Sequence, residues 1–561
     1  MVRQVVRKLT RPFTLLLHAG LHAIASMRIG PAGVLELRID GNIKQPLLML
    51  RHLEELCQGP GVRGVLLHVG RLGWGWATVQ EWREGLDRLR DAGKVVLIHA
   101  ESPGNGEMML STAADRVIVP PMGEVGMVGV GGQLRFVGPA LERFGLRFEV
   151  EAAGEYKSLG EMFTRAYASP ENREAVQKLV DDLHDELVAA VSKARRIPGD
   201  EVQGLIDRCP MSPDEAREAG LIDVVGYDDD IDHELEELLG EKVRRVDLNQ
   251  MAWLVRAMHR LDDFMTEQST IAVVHLQGNI TMARNPTATP RIAPHEVIPA
   301  LRAVREDPRV KAVVMAVQSG GGSVLASDLI WHEVERLKAE KPVVAAFGDV
   351  AASGGYYISA PTNAIVARPG TLTGSIGVVG GKLVTGGATR ALGMYAESIH
   401  RGRNVGMYST EHPFDEHQRA RFRQRLEETY EGFLQRVGSG REKTREEVHE
   451  VARGRVWTGK AALDAGLVDH LGGLREALRR ARQEAGLGPK DAWRRTDHVV
   501  RPKRHWLLDL MPQSAQVSLM ALLPAAPKAL LSAVQLPNSV EMLLEHPEEP
   551  LALLPGDLEL R

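Results

Sequence analysis

The sequence predicts an α/β protein with two tandem layered domains. Three observations carry this prediction: the middle of the chain is duplicated, short β-branched runs alternate with helical periods in each copy, and glycine-rich turns follow several runs. At ~150 residues per unit, 561 residues exclude a single small module. Apolar residues at 44% and charged residues at 25% are globular proportions, which excludes a disordered or fibrous chain. Lys and Arg number 69 against 74 Asp and Glu, a net charge of −5, so no general basic field invites nucleic acid as a partner. Two cysteines, Cys57 and Cys209, are too few for a disulfide framework and leave the redox compartment open. Glycine is plentiful, 56 residues, while aromatics make up 5%, which suits tight turns and close backbone approach better than stacking platforms.

The first element, residues 34–43, is an apolar-alternating run ending in Gly41-Asn42-Ile43, and it returns as residues 271–280 ending in Gly278-Asn279-Ile280. Residues 61–67 match 309–315 and residues 94–98 match 342–346, both at an offset of 248 positions (Val62 to Val310). The match continues through residues 115–121 against 363–369, and through Gly126-Met127-Val128-Gly129-Val130 against Gly374-Ser375-Ile376-Gly377-Val378. Near the end of each copy Glu218-Ala219-Gly220-Leu221-Ile222-Asp223 pairs with Asp464-Ala465-Gly466-Leu467-Val468-Asp469. Between the strand-like runs lie helical periods, such as residues 327–338 with apolar Leu329, Ile330, Val334 and Leu337. These are βαβ units, whose ligands are expected near the loops at strand ends.

The boundaries follow: a first copy over residues 31–240, a linker over 241–270, a second copy over 271–485, and extensions over 1–30 and 486–561. In the N-terminal extension Arg3, Arg7, Lys8 and Arg11 precede an apolar stretch, 13–27, that is short for a span of ~20 residues. It is expected either to contact a membrane, as a signal anchor or interfacial helix, or to pack as an ordinary helix. The uncharged run 510–527 holds Pro512, Gln513, Ser514, Gln516, Ser518 and Pro524, which argue against a bilayer-spanning helix. Asp228-Asp229-Asp230 could hold a cation, but a solvated turn is the expectation.

Two copies that both fold share a packing pattern, so a reactive residue present in one copy alone points to chemistry. The second copy has Ala351-Ala352-Ser353-Gly354-Gly355-Tyr356 running out of an apolar strand, 342–347, into a helix. Ser353 sits at the strand-to-helix turn, where free N–H groups favour an anion; as a structural residue it would be an ordinary N-cap. The first copy has Asn105 at that position. A second cluster, Ser319-Gly320-Gly321-Gly322-Ser323, follows the strand 312–317. Read functionally, the N–H groups of Gly321 and Gly354 form an oxyanion hole, each donor worth about 3 kcal/mol; read structurally, the cluster is a turn. Among 19 His none is nominated as a base by spacing, HExxH and paired Cys/His patterns are absent, and neither glycine-rich run reads GxGxxG, so no metal or cofactor is expected. Lysine is the other base. Lys157, in Gly154-Glu155-Tyr156-Lys157-Ser158, has no counterpart in the second copy, where the offset falls on Val405.

The tandem repeat, the Ser353 motif, Thr371-Leu372-Thr373-Gly374-Ser375-Ile376-Gly377-Val378 and Tyr156-Lys157-Ser158 together resemble the signal peptide peptidase A (protease IV) family in its long duplicated form. The likeness covers about residues 31–485, with four separated motifs in the family's order. It implies two crotonase-like, Clp-protease-like ββα-superhelix domains. It also implies Ser353 as nucleophile, Lys157 as general base and Ser375 as the residue orienting the lysine. The implied activity is a serine endopeptidase acting on extended apolar peptides such as signal-peptide remnants, with homotetramers and membrane association. Two departures stand out: the family's Ser-Pro-Gly-Gly turn reads Ser319-Gly320-Gly321-Gly322 here, and the N-terminal membrane span is weak.

A free lysine, pKa ~10.4, is protonated at neutral pH, so such a dyad requires burial; lowering it to ~8 asks about 3 kcal/mol. The alternatives are a crotonase-type acyl-CoA hydrolase or hydratase using the same glycine donors without Ser353, an inactive scaffold, and an α/β-hydrolase. The last is disfavoured by the duplication and the lack of a convincing downstream Asp and His.

Overall fold

A computed structural model of the chain describes residues 30, 32–41, 43, 46–59, 61–248, 269–283, 290–488, 493–499, 551–553 and 559–560. Nearly all of the N-terminal extension, most of the linker and most of the C-terminal extension lie outside these residues. Among the described residues no helix is long and apolar enough to cross a membrane. The chain divides into two compact units, one drawn from residues 1–131 and 181–268 and the other from 132–180 and 269–560. The division differs from the sequence repeat in one respect: residues 132–180, which include Lys157, fold with the second unit.

The first unit holds a six-stranded parallel sheet. Its centre is β1 (Gly33–Ile39), β2 (Val62–Val69), β3 (Val95–Ala100) and β4 (Arg116–Val119), in the order β4-β3-β2-β1, with Val224–Val225 beyond β4 and Arg244–Asp247 beyond β1. Strands covered on both faces tend toward continuous apolar runs, as in Val65–Leu67 and Val95–Ile98, while β1 carries Glu36 and Arg38. One face packs Leu35, Leu67 and Ile98 against Trp82 and Leu86 of α1 (Trp76–Asp91) and Met109 of α2 (Asn105–Ser111). The other packs Val34, Leu66, Leu97 and Ile118 against Ile231 and Leu235 of α3 (Ile231–Leu239). The triple aspartate forms a short exposed 3₁₀ turn, Asp228–Asp230, directly before α3.

The second unit holds two large sheets and a two-stranded ribbon that pairs Gly132–Gln133 with Glu559–Leu560. We label β5 (Arg147–Ala153), β6 (Ser269–Gln277), β7 (Val310–Ser319), β8 (Gly321–Ser323), β9 (Val343–Ala352), β10 (Leu372–Gly374), β11 (Val378–Val384) and β12 (Leu551–Leu553). The larger sheet runs β10-β9-β7-β6 between Val456–Thr458 and Trp493–Val499, and the other runs β8-β12-β11-β5 beyond Asn279–Ile280. The larger sheet is also covered on both faces. Ile330, Val334 and Leu337 of α4 (Val324–Lys338) share a core with Val274, Met315, Val343 and Ala345, while Ala477, Leu478 and Ala481 cover Ile271, Val314 and Val344. This is the α/β architecture the repeat predicts, with parallel strands and covering helices in each unit.

Two details depart from the sequence reading. The strand expected over 342–347 continues as β9 to Ala352, because Val350, Ala351 and Ala352 pair with Leu372, Thr373 and Gly374 of β10. The repeat also slips by one residue at β3 and β9: Leu67 pairs with Ile98, whereas its counterpart Met315 pairs with Ala345 rather than Ala346. A continuously apolar buried strand looks alike when shifted by one position, yet the shift exchanges its two faces.

Candidate active site

Three strand ends converge in the second unit. Ser353 follows β9 and precedes α5 (Gly354–Ser359), so the sequence forces a sharp change of direction at one residue, and Ser353 takes φ 53°, ψ −115°. A non-glycine residue held in such a region costs on the order of 1–3 kcal/mol and persists only where its surroundings fix it. The fixing contacts are visible: its N–H donates to the Gly374 carbonyl at 2.7 Å, and its own carbonyl accepts from Tyr357 at 2.8 Å. The β9–β10 register, with Ala352 opposite Gly374, then sets Ser353 beside Ser375, itself at φ 51°.

Lys157 arrives from β5. That strand pairs antiparallel with β11 from Val384↔Arg147 to Val378↔Ala153, so the residues following Ala153 run alongside those preceding Val378. Lys157 thereby meets Ser375. Strand β5 is also fastened to α6 (Glu416–Arg441) by Arg419, which reaches Glu149 at 2.5 Å and Glu151 at 2.6 Å. Glu149 is almost fully buried while Arg419 is 36% exposed, so the pair ties a buried carboxylate of β5 to the half-exposed face of α6.

The amine is enclosed. Lys157 is 3% exposed and Ser353 and Ser375 are 0% exposed. Lys157 Nζ lies 2.8 Å from Ser353 Oγ, 2.9 Å from Ser375 Oγ and 2.9 Å from the Ser375 carbonyl oxygen. Burial pushes the Lys157 pKa well below the ordinary lysine value, and desolvation is the cause, with no neighbouring carboxylate opposing it. A neutral amine has two N–H donors and one lone pair. Donating to the Ser375 carbonyl and Oγ leaves the lone pair facing the Ser353 hydroxyl, the arrangement a general base requires.

The sequence nominated Ser353, Lys157 and Ser375, and the fold brings both serine hydroxyls within hydrogen-bond reach of the lysine amine. Gly321 and Gly354 are adjacent as well: a Cβ on Gly354 would stand 3.1 Å from Gly321 Cα and 2.8 Å from Ser327 Oγ. The Gly354 N–H heads α5, while the Gly321 N–H, at φ 106°, donates to Ser319 Oγ at 3.1 Å. Asn105, the first-copy counterpart of Ser353, is engaged otherwise, its Nδ2 donating to the Gly129 carbonyl at 2.9 Å and its Oδ1 accepting from the Gly129 N–H at 3.2 Å. Val405, the counterpart of Lys157, is exposed.

Gly454 escaped the sequence reading. It has φ +81°, and a Cβ there would lie 2.6 Å from Lys157 N and 2.7 Å from Lys157 Cβ. Its only signal is a glycine after Arg453, too common a feature to single out. Gly454→Ala is expected to displace Lys157, destabilise the fold by about 1–3 kcal/mol and slow peptide hydrolysis at least tenfold. Gly393→Ala is the control, with φ +75° but open space around its Cβ. Comparing kcat/KM and thermal midpoints of the two variants separates the clash from backbone strain, and equal activities would contradict the positioning role.

With this geometry in view, relatives become informative. The model of peptidase family S49 matches residues 88–242 and 335–488, one stretch in each copy of the repeat. The chain belongs to peptidase family S49. Among similar proteins, a chloroplast serine protease SPPA of Arabidopsis thaliana is 32% identical over 485 residues, covering 83% of this chain and 71% of the relative. Protease 4 of Salmonella typhi is 30% identical over 460 residues, covering 80% and 72%. A putative signal peptide peptidase SppA of Enterococcus faecium is 35% identical over 188 residues, 33% of this chain. The S49 membership makes this chain a serine endopeptidase, a hydrolase of peptide bonds, as the motifs predicted.

Proposed function

We propose that the peptidase reaction runs on a Ser353–Lys157 dyad, and the observation that carries this reading is the 2.8 Å approach of a buried amine to a hydroxyl at a strained strand-to-helix turn. The Lys157 lone pair takes the Ser353 proton as Oγ attacks the scissile carbonyl, and the ammonium returns that proton to the leaving amine. Water then hydrolyses the acyl-enzyme, with the amine again accepting the proton. Ser375 positions Nζ through its carbonyl and Oγ. Distance alone does not rank the two serines, both within 2.9 Å of Nζ. Ser353 is the nucleophile because it heads α5, whose Gly354 N–H faces a developing oxyanion beside it. The oxyanion competes with Ser319 Oγ for the second donor, Gly321 N–H.

The substrate is an extended, largely apolar peptide, signal-peptide remnants included. In support, β12 of this same chain pairs antiparallel with β8, Leu553 opposite Gly321 and Leu551 opposite Ser323, and Leu551 also pairs with Val379 of β11. The sheet beside Ser353 therefore accepts a peptide backbone in extended form, the mode by which an added strand is recognised. The reading extends to crotonase-like ββα folds in both copies and to a homotetramer at a membrane surface, testable by light scattering and liposome flotation.

The test is a fluorophosphonate probe with peptide and acyl-CoA substrates offered side by side. The expected result is a probe adduct mapped by mass spectrometry to Ser353, peptide cleavage, and no acyl-CoA turnover. Acyl-CoA turnover without an adduct or peptide cleavage would favour the crotonase-type alternative and overturn the dyad.

A further inference from the structure

A second polar cluster lies in the first unit. His68 on β2 and His99 on β3 are register partners, and their Nδ1 atoms stand 3.3 Å apart. Asp228 Oδ1, from the turn before α3, is 3.8 Å from His68 Nδ1, and the three ligand atoms lie within 4.8 Å of one another. On the far side of its ring, His68 Nε2 is 2.7 Å from Glu36 Oε1, and Glu36 is held by Arg245 through Nε at 3.1 Å and a terminal nitrogen at 2.7 Å.

We propose that His68 Nδ1, His99 Nδ1 and Asp228 Oδ1 form a binding site for a divalent transition-metal ion of the zinc class. Four arguments lead there. First, tetrahedral coordination with metal–nitrogen bonds of ~2.0–2.1 Å sets the ligand–ligand separation at about 3.3–3.4 Å, the spacing of the two imidazole nitrogens. Asp228 is 53% exposed, which leaves its side chain free to rotate inward from 3.8 Å off His68 Nδ1 and within 4.8 Å of the His99 ligand atom.

Second, an imidazole that ligates a metal characteristically donates its other N–H to a carboxylate, which fixes the tautomer and raises the ligand's basicity. Glu36 serves His68 in that way and leaves Nδ1 as a bare lone pair. Third, the charges suit a cation: the acidic Glu36, Asp228, Glu101 and Asp232 outnumber the basic Arg245 and Arg38 around the two imidazoles.

Fourth, the fold does not need polar groups here. Glu36, His68 and His99 correspond in the second unit to Val273, Ala316 and Ala346, the last two again register partners. His99 Nε2 is buried without a hydrogen-bond partner among the described residues, so the outer carboxylate support is confined to His68. A hydrogen bond between the two rings is the competing explanation, since they can share one proton. The His/His/Asp set has no sequence spacing to announce it, because its members come from two strands and a distant turn.

The experiment uses the full-length, tag-free protein, stripped with a chelator, equilibrated with micromolar Zn2+, desalted and analysed for retained metal, with thermal melts run in parallel. One equivalent of zinc above the level retained by His99→Gln and by Asp228→Asn is expected, with a melting point raised by Zn2+ in the parent alone. Glu36→Gln is expected to weaken binding about 10–100-fold. Peptide hydrolysis is expected to be unchanged in all three variants, each confirmed folded by circular dichroism without metal. Equal retention by parent, His99→Gln and Asp228→Asn would overturn the site and leave the two rings sharing a proton only.

Discussion

Replacing Ser353 by alanine is expected to lower peptide hydrolysis by roughly 10⁴- to 10⁶-fold and to abolish fluorophosphonate labelling, while circular dichroism is unchanged. The change removes the nucleophile and leaves the backbone donors and substrate edge in place, so residual activity would come from binding alone. Ser375→Ala separates the two hydroxyls at Nζ: it is expected to retain the label, with a slower rate. Labelling that survives in Ser353→Ala and vanishes in Ser375→Ala would reverse their roles.

Replacing Lys157 by methionine is expected to cost about 10²–10⁴-fold in rate, the usual contribution of a positioned general base. Lys157→Arg is expected to fail equally, because a guanidinium does not lose its proton in proteins and so cannot accept one from serine. The same residue carries a stability prediction. Its folded-state pKa is depressed below the unfolded value of ~10.4, so between the two the unfolded chain binds more protons and stability rises with pH. The buried amine therefore weighs most against the fold below its folded pKa, and the weight disappears as pH approaches ~10.4. Thermal midpoints of Lys157→Met relative to the parent are expected to be most favourable in acid and neutral solution and to lose that advantage as pH rises. A constant difference across the range would mean that the amine is charged in the folded protein.

Much of this was legible in residues 31–485. The duplication exposed the α/β units, and the contrast of Ser353 with Asn105 and of Lys157 with Val405, joined to the family resemblance, nominated the candidate pair. Four things were not legible, each for a physical reason. The one-residue slip between β3 and β9 hid because Val95–Ile98 and Val343–Ala346 are apolar at every position, so matching residue types cannot distinguish inward from outward faces. The membership of residues 132–180 in the second unit follows from the β5–β11 ladder, a pairing between segments 225 or more positions apart that no local period encodes. Gly454 matters only through the backbone it lets approach Lys157, and the His68–His99–Asp228 cluster through a sheet register that joins distant positions.

The most direct measurement is the second-order rate of Ser353 acylation by a fluorophosphonate between pH ~5 and ~10 in the parent and in Lys157→Met. The dyad predicts a rate that climbs with pH through a single apparent pKa far below ~10.4 in the parent, and a flat, slow profile in the variant. The same climbing limb in Lys157→Met, or a limb at the ordinary lysine value in the parent, would contradict a neutral Lys157 as the base.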